Sequence, residues 1–199
     1  MSLHPPEPEA GRAAALAARM AARAAEEGLA DVAYATIDSP LGRLVAAGTR
    51  RGLVRLAYED SGDGVDGVLD GLARSISPRI VEAPARLDEA RRELDEYFAG
   101  RRTDFELAVD WRFVREGFAR RVLQATARIP FGRTSTYREI AGRAGSPRGF
   151  RAAGNALGAN MIPIVVPCHR VLASGGGLGG YTGGLARKEH LLHVEGVLA

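Results

Sequence analysis

One cysteine, one lysine, one tryptophan and no long apolar run set the first limits on this chain. A single cysteine forms no internal disulfide and leaves no cluster for a structural zinc ion, which fits a reducing compartment. No stretch approaches the ~20 consecutive apolar residues of a membrane span. The start, "MSLHPPEPEAGR", has acids and prolines where an export signal needs a basic start and an apolar core. The expectation is a soluble, unexported, cytoplasmic protein. With Lys188 the lone lysine, nearly all positive charge is arginine, which suits phosphate contacts and stacking better than lysine does.

What is present is 199 residues, 46% of them apolar, enough for one ordinary domain or two small ones. The net charge of +3 hides an asymmetry. Residues 111 to 199 carry 13 basic and 4 acidic side chains, whereas residues 1 to 110 carry 14 and 20. The carboxy-terminal half is therefore the part expected to meet an anion. Nucleic acid is the partner this footprint favours, against a merely solvated basic face.

Residues 1–30 form an alanine-rich extension, helical or disordered. Arg12, Arg19 and Arg23 share one side and Leu16 and Met20 another, so a helix here has a thin apolar face and docks loosely. The runs "AYATI", "GRLVAAG" and "GLVRLAY" follow, separated by turn chemistry in "DSPLG" and "TRRG"; three antiparallel strands are expected. "EDSGDGVDG" reads as a polar loop, and its spacing fails for a calcium site. A helix over Leu87 to Phe98 carries Leu87, Leu94 and Phe98 at helical spacing and stops at Gly100. Another, in "EGFARRVLQATARIPFG", repeats Phe118, Val122, Ala125 and Ile129 and ends at Pro130 and Gly132. The domain boundary falls between Gly100 and Trp111, dividing residues 31–110 from 111–199.

"TSTYREIAGRAGSPRGFRAAGNALGAN" reads as two helices joined by a tight turn, a helix-turn-helix pattern. Thr136 and Glu139 make a capping box. Ser146 before Pro147 repeats the start signal, with Gly145 free to turn left-handed. On the second helix Phe150, Ala153 and Leu157 face inward, while Arg148, Arg151 and Asn155 face out beside the small Ala152, Gly154, Ala156 and Gly158. Small residues serve close helix packing as well as approach to a DNA backbone; the arginines favour DNA.

The cysteine itself, Cys168, sits in "PIVVPCHRVL". An inert buried thiol is the base expectation. Pro163 and Pro167 bracket "IVV", so the chain should arrive as a short strand and bend just before the sulfur, next to His169 and Arg170. Such a thiol is reactive only as thiolate, and a neighbouring base or positive group promotes that form. A turn or a bridging water is needed for Cys168 and His169 to exchange a proton. Glu195, on or just after a helix begun near Gly184, is a carboxylate of the kind that orients an imidazole in other nucleophilic sites, but spacing alone favours a surface acid.

"IPIVVPCHRVL", with upstream "GAN" and downstream "GYTGGLARKEHLLHVEG", resembles the O6-alkylguanine-DNA alkyltransferase family of single-use DNA-repair proteins. The resemblance spans Tyr34 to Gly196 and is dense from Phe118 onward. It implies an α+β fold: a small amino-terminal antiparallel-sheet, ribonuclease H-like domain, and a mainly helical carboxy-terminal domain with the helix-turn-helix. By resemblance Cys168 is the alkyl acceptor, His169 the base acting through water, and Glu195 the acid that orients it. Asn160 braces the turn, and Tyr137 contacts the target nucleotide and donates towards guanine N3. Arg151 fills the space of the flipped base, with Arg148, Ala152, Gly154 and Asn155 completing the DNA face. The Cys168 and Val171 carbonyls receive the guanine amino group. Gly179, Tyr181, Thr182 and Lys188 belong to the substrate loop, Thr182 standing where the family usually has serine.

The implied reaction is direct transfer from O6-alkylguanine in double-stranded DNA to Cys168, with O4-alkylthymine left open as a second substrate. It uses no cofactor and no metal, and a monomer, cooperative or not on DNA, performs it in the nucleoid. Extrusion of the base from the stack costs about a few kcal/mol, less for a damaged pair. The resemblance implies that this helix enters the minor groove, where little base reading is needed, and its small face permits the close approach. Two rivals from the residues fall away. Gly175, Gly177 and Gly180 have dinucleotide-loop spacing, but too little chain follows for the remaining parallel strands. A cysteine hydrolase using His190 or His193 would take its base from within a helix. A lesion sensor or DNA-binding regulator that transfers nothing remains the alternative; sensors of that kind lack the acceptor cysteine, which this chain keeps.

Overall fold

Short, largely buried apolar runs build the sheet in this computed structural model, which describes residues 8–62 and 64–198. Strands β1 (Val32–Ile37), β2 (Leu44–Thr49) and β3 (Gly52–Tyr58) pair antiparallel, as the turn residues between them dictate. The expectation of three strands falls one short. Strand β4 (Ile80–Glu82) adds parallel to β1, giving the order β3-β2-β1-β4. At three residues it is too short to show an alternation.

The polar stretch read as a loop also hides a helix start. Helix α2 (Gly64–Ser75) begins inside "EDSGDGVDG", of which Asp63 lies outside the described residues. Glycines dilute its pattern, but Val65, Val68, Leu69 and Leu72 recur at helical spacing and cover one sheet face, packing on Val32, Val45 and Val54. The opposite face, with Ala35, Leu44, Leu56 and Tyr58, belongs to the main core, shared with helix α3 (Asp88–Phe98) and the carboxy-terminal half. The sheet is thus buried on both sides, and its second face is where the two halves meet.

Helix α1 (Pro8–Glu26) precedes the sheet; residues 1–7 of the alanine-rich extension lie outside the described residues. Its end is docked through buried Ala25, whose carbonyl accepts from Arg86 Nη1 at 3.0 Å, while Leu16 and Met20 are exposed.

Helices α4 (Phe118–Thr126), α5 (Tyr137–Arg143) and α6 (Phe150–Gly158) pack on one another in the carboxy-terminal half. Val122, Ile140 and Ala153 are fully buried between them. A two-residue pair, β5 (Ser135–Thr136) with β6 (Val171–Leu172), ties the start of α5 to the chain just past Cys168. Helix α7 (Leu185–Val194) closes the fold.

The capping box at α5 is formed: Thr136 Oγ1 accepts from Glu139 N at 3.2 Å and Glu139 Oε2 from Thr136 N at 2.9 Å. Thr136→Ala is expected to cost about 1 kcal/mol, lowering the melting temperature by roughly 2–4 °C in a calorimetric or circular-dichroism melt. The second start signal is not used. Ser146 to Gly149 form a separate turn, closed by Gly149 N to Ser146 O at 2.8 Å, and α6 begins only at Phe150 without a side-chain cap. Proline suits the second position of such a turn as well as it suits a first helical turn. Gly145 is left-handed, with φ 86°.

Candidate active site

The brace comes first. Asn160, just past α6, donates through Nδ2 to Val166 O at 2.8 Å and to Cys168 Sγ at 3.1 Å, and accepts from Ile162 N at 3.1 Å. These bonds wind the chain between the prolines into successive turns, Val165 N reaching Pro163 O and Val166 N reaching Ile162 O, both at 2.9 Å. The expected strand over "IVV" is therefore absent. Ile164 has φ 72°, a strained conformation for a β-branched residue, held because its side chain is wholly buried and the surrounding bonds fix it.

Cys168–Arg170 form a single 3-10 turn, which gives thiol and imidazole the bend they require. His169 Nε2 lies 2.7 Å from Glu195 Oε1, at the carboxy-terminal cap of α7. The same carboxylate accepts from Tyr97 Oη at 2.8 Å, from Arg170 Nε and Nη2 at 2.9 Å each, and from Gly132 N at 3.3 Å. Glu195 is buried, so the surface-acid alternative is removed.

Electrostatics fixes the protonation states. Burial raises the Glu195 carboxyl, but the bonds from His169 and Arg170 outweigh it and hold the group at about 2. Burial lowers His169, against the pull of Glu195, and favours a neutral ring. A neutral ring facing a carboxylate carries its proton on Nε2, an assignment made from the hydrogen-bond pattern, so Nδ1 is the basic nitrogen. His169 Nδ1 is buried and has no hydrogen-bond partner among the described residues. Burial pushes the Cys168 thiol up to about 11, with Asn160 and Lys188 pulling the other way. The resting sulfur is a neutral thiol.

A cavity of about 230 Å³ opens onto this sulfur, lined by Tyr137, Gly154, Leu157, Gly158, Cys168, Gly180, Tyr181 and Thr182. Tyr137 Oη accepts from Gly180 N at 3.2 Å. Gly179, at φ 69°, comes so close that a Cβ there would lie 2.7 Å from that hydroxyl. Thr182 Oγ1 donates to Gly158 O at 3.1 Å, tying the loop to the end of α6. Lys188 is fully buried; its ammonium donates to the carbonyls of Val171 at 2.6 Å, Gly180 at 3.3 Å and Leu178. Its direct contacts are thus with the loop backbone, and burial lowers it to about 8. The Val171 carbonyl accepts from Lys188 and the Cys168 carbonyl from Val171 N, leaving each a second lone pair.

On α6, Arg151, Ala152 and Asn155 are exposed together, and Gly154 is half-buried against Tyr137. Arg148 is exposed too, but in the turn before the helix rather than on it. Phe150 does not pack inward. As the first residue of α6 it is 38% exposed, between the guanidinium groups of Arg138 and Arg151 at 5.5 and 5.8 Å. The inward face is Ala153, Ala156 and Leu157.

Sequence reasoning missed four residues around the site. Arg170 adjoins Cys168 and His169 in sequence, and its charge was the available signal. Tyr97 reaches Glu195 from α3 and Tyr58 reaches the loop from β3, both across the interface between the halves, while Arg187 of α7 reaches back over it to Leu41 and Asp60; no local pattern marks these partners. His190 and His193 are exposed on α7, which leaves the hydrolase reading no base, and Gly175, Gly177 and Gly180 lie in a loop region between β6 and α7.

A buried thiol beside a His–Glu pair, set behind an arginine-faced helix-turn-helix, defines a DNA-directed protein whose reactive group is cysteine. Residues 117–197 match the DNA-binding domain of 6-O-methylguanine DNA methyltransferase, and residues 32–111 its ribonuclease-like domain. The methylated-DNA–protein-cysteine methyltransferase of Mycolicibacterium paratuberculosis is 41% identical over 82% of this chain and 92% of its own length. That of Methanosarcina barkeri is 39% identical over 81% and 96%. The crystal structure of Mycobacterium tuberculosis O6-methylguanine methyltransferase superposes with a TM-score of 0.70 at 38% identity, covering 84% of this chain and 94% of that one. The structure titled as the Mycobacterium tuberculosis protein OGT in complex with DNA gives 0.69 at 38% identity, covering 82% and 92%.

The chain belongs to the 6-O-methylguanine DNA methyltransferase family. It is a DNA-binding alkyltransferase of DNA repair, with cysteine as the acceptor. No helix among the described residues is long and apolar enough to cross a membrane.

Proposed function

We propose that the lesion is O6-alkylguanine in duplex DNA and that Cys168 is its acceptor. The observation that carries this is the cavity of about 230 Å³ lined by Cys168, walled by Tyr137 and Tyr181 and bounded on α6 by Gly154, Leu157 and Gly158, next to the exposed Arg151 and Asn155 of the same helix. A base inside a duplex offers no in-line path to an O6 substituent, so the nucleotide leaves the stack and enters the cavity. Arg151 occupies the vacated place; Ala152, Asn155 and Arg148 follow the backbone. The Val171 and Cys168 carbonyls use their second lone pairs on the guanine amino group.

The thiol proton passes through one bridging water to His169 Nδ1, the buried nitrogen that has no other partner among the described residues. Glu195 stabilises the imidazolium so formed. Sγ then attacks the alkyl carbon; the S–C bond forms as the C–O6 bond breaks, its electron pair going to guanine. Tyr137 donates a proton towards N3, which makes guanine a neutral leaving group. A thioether remains, and nothing in this sequence of steps restores the thiol. The protein acts once, as a monomer.

Incubation with a duplex holding O6-methylguanine should add the mass of one methyl group to the peptide containing Cys168, in a single burst equal to the protein present. Intact-protein and peptide mass spectrometry read it directly. Binding without that gain would support the lesion-sensor alternative.

A further inference from the structure

The amino-terminal sheet reaches the wall of the Cys168 cavity through Tyr58. Tyr58, the last residue of β3, is buried, and its hydroxyl lies 2.9 Å from that of Tyr181 in the cavity wall. The two rings meet edge to face at 6.5 Å, and Tyr181 in turn stands edge-on to His169 at 6.4 Å. The contact is fixed from two sides. Arg187 of α7 lies 4.1 Å over the Tyr58 ring and donates to Leu41 O at 3.0 Å, Gly183 O at 3.2 Å and Asp60 Oδ2 at 2.6 Å, so it pins the sheet side and the loop side together. Beneath the pair is Gly183, where a Cβ would stand 2.3 Å from Tyr58 Cε2 and 2.8 Å from Tyr181 Cε1. Any side chain there pushes the two rings apart.

We propose that Tyr58 is a positioning residue for alkyl transfer, fixing through its hydroxyl the tilt of Tyr181 and hence the wall against which the extruded nucleotide and its alkyl group are aligned with Cys168. The sheet domain is then part of the reacting geometry as well as a support for it. Burial raises both phenols, Tyr58 to about 12, so the pair stays neutral and bonded through the pH range of an assay. Without its partner, the half-buried Tyr181 hydroxyl is free to turn towards another, and the ring turns with it. Misalignment of this kind affects the step after binding, because the face that meets DNA, around Arg151 on α6, is untouched.

The inference rests on Cys168 being the acceptor, and the test separates the two claims. Single-turnover transfer from a duplex with O6-methylguanine is followed over a range of DNA concentrations, giving a maximal rate and a half-saturating concentration for wild type, Tyr58→Phe, Tyr181→Phe and the double variant. Phe keeps both rings and removes one hydroxyl. Tyr58→Phe should lower the maximal rate about tenfold, the scale of one lost orienting hydrogen bond, with the half-saturating concentration changed less than about twofold. Tyr181→Phe should match it, and the double variant should lose no more than either single change, because both remove the same contact. Gly183→Ala, which wedges the rings apart without deleting a hydroxyl, should show the same rate loss and decides the matter if a tyrosine variant fails to fold. An unchanged maximal rate, losses that multiply in the double variant, or a defect confined to DNA affinity would overturn the inference. Absence of transfer by the wild type would overturn the acceptor assignment and this inference with it.

Discussion

Cys168→Ser takes up no methyl group, yet binds duplex DNA within about twofold of the wild-type affinity; removal of a covalent nucleophile lowers the chemical step by roughly a thousandfold or more. Two features lead to this expectation. Cys168 is 5% exposed and lines the cavity with Gly154, Leu157 and Gly158 of α6, whereas Arg151, Ala152 and Asn155 are solvent-facing and line no part of it, so the change leaves the side chains of the DNA surface in place. Asn160 Nδ2, 3.1 Å from Sγ, can donate to a hydroxyl as readily as to a thiol, so the turn keeps its brace. What is lost is chemical. A serine hydroxyl is far harder to ionise than a thiol, and one neutral imidazole does not supply enough base strength to make it attack an alkyl carbon. Mass spectrometry of the variant with lesion-bearing DNA, beside a gel-shift titration, checks both halves. Methyl uptake elsewhere in the chain, or binding lost along with transfer, would refute the assignment.

Glu195→Gln is expected to damage stability and chemistry together. The carboxylate gathers His169, Tyr97, two nitrogens of Arg170 and the Gly132 amide in the protein interior. An amide has one acceptor oxygen and sets its own donors against some of those it replaces. Arg170, only 5% exposed, then lacks its counter-charge, a loss of about 3–5 kcal/mol for a broken buried pair. His169 loses the acceptor that keeps the proton on Nε2, and transfer should fall by about 10²-fold or more. Thermal unfolding reads the first effect and single-turnover kinetics the second.

The pH dependence has a definite sign. The Glu195 carboxyl is lowered from 4.5 to about 2 on folding, so its contribution is complete above about pH 4.5 and lost as pH falls towards 2. It is on the order of a few kcal/mol. His169, lowered from 6.5 by burial, acts in the same direction but earlier: below pH 6.5 the unfolded chain takes up a proton that the folded one resists. The wild type should therefore lose stability in two stages on acidification, and Glu195→Gln should lack the second.

The parts of the fold readable in the sequence are those whose physics is local. Strands β1 to β3 show in their short apolar runs and in the turn residues between them; α4 shows in its apolar spacing, and α5 in its capping box. Strand β4 is too brief to declare itself and exists because β1 offers a free edge. In α2, glycines and acids mask an apolar stripe that has meaning only once a sheet face needs covering. Counting along a helix that opens at the Ser146–Pro147 signal puts Phe150 inward. With the start at Phe150, the residue lies at the mouth of the helix, in the company of two arginines. The site divides in the same way. Cys168, His169 and Asn160 share one short segment. Tyr97 stands 98 positions from Glu195, and Tyr58 123 from Tyr181, and only the closing of the two halves on each other brings those partners together.

The high pKa of the buried thiol has a consequence for what the protein ignores. The single-use acceptor proposed for Cys168 is wasted by every reaction other than its own, and small oxidants and diffusible alkylating agents consume thiolates rather than thiols. With Cys168 held near 11, almost none of it is thiolate at neutral pH. The sulfur stays dormant towards the surrounding chemistry until a base seated in the cavity presents it with a carbon to attack. Scarcity of a reagent that is never regenerated is thereby matched by its reticence.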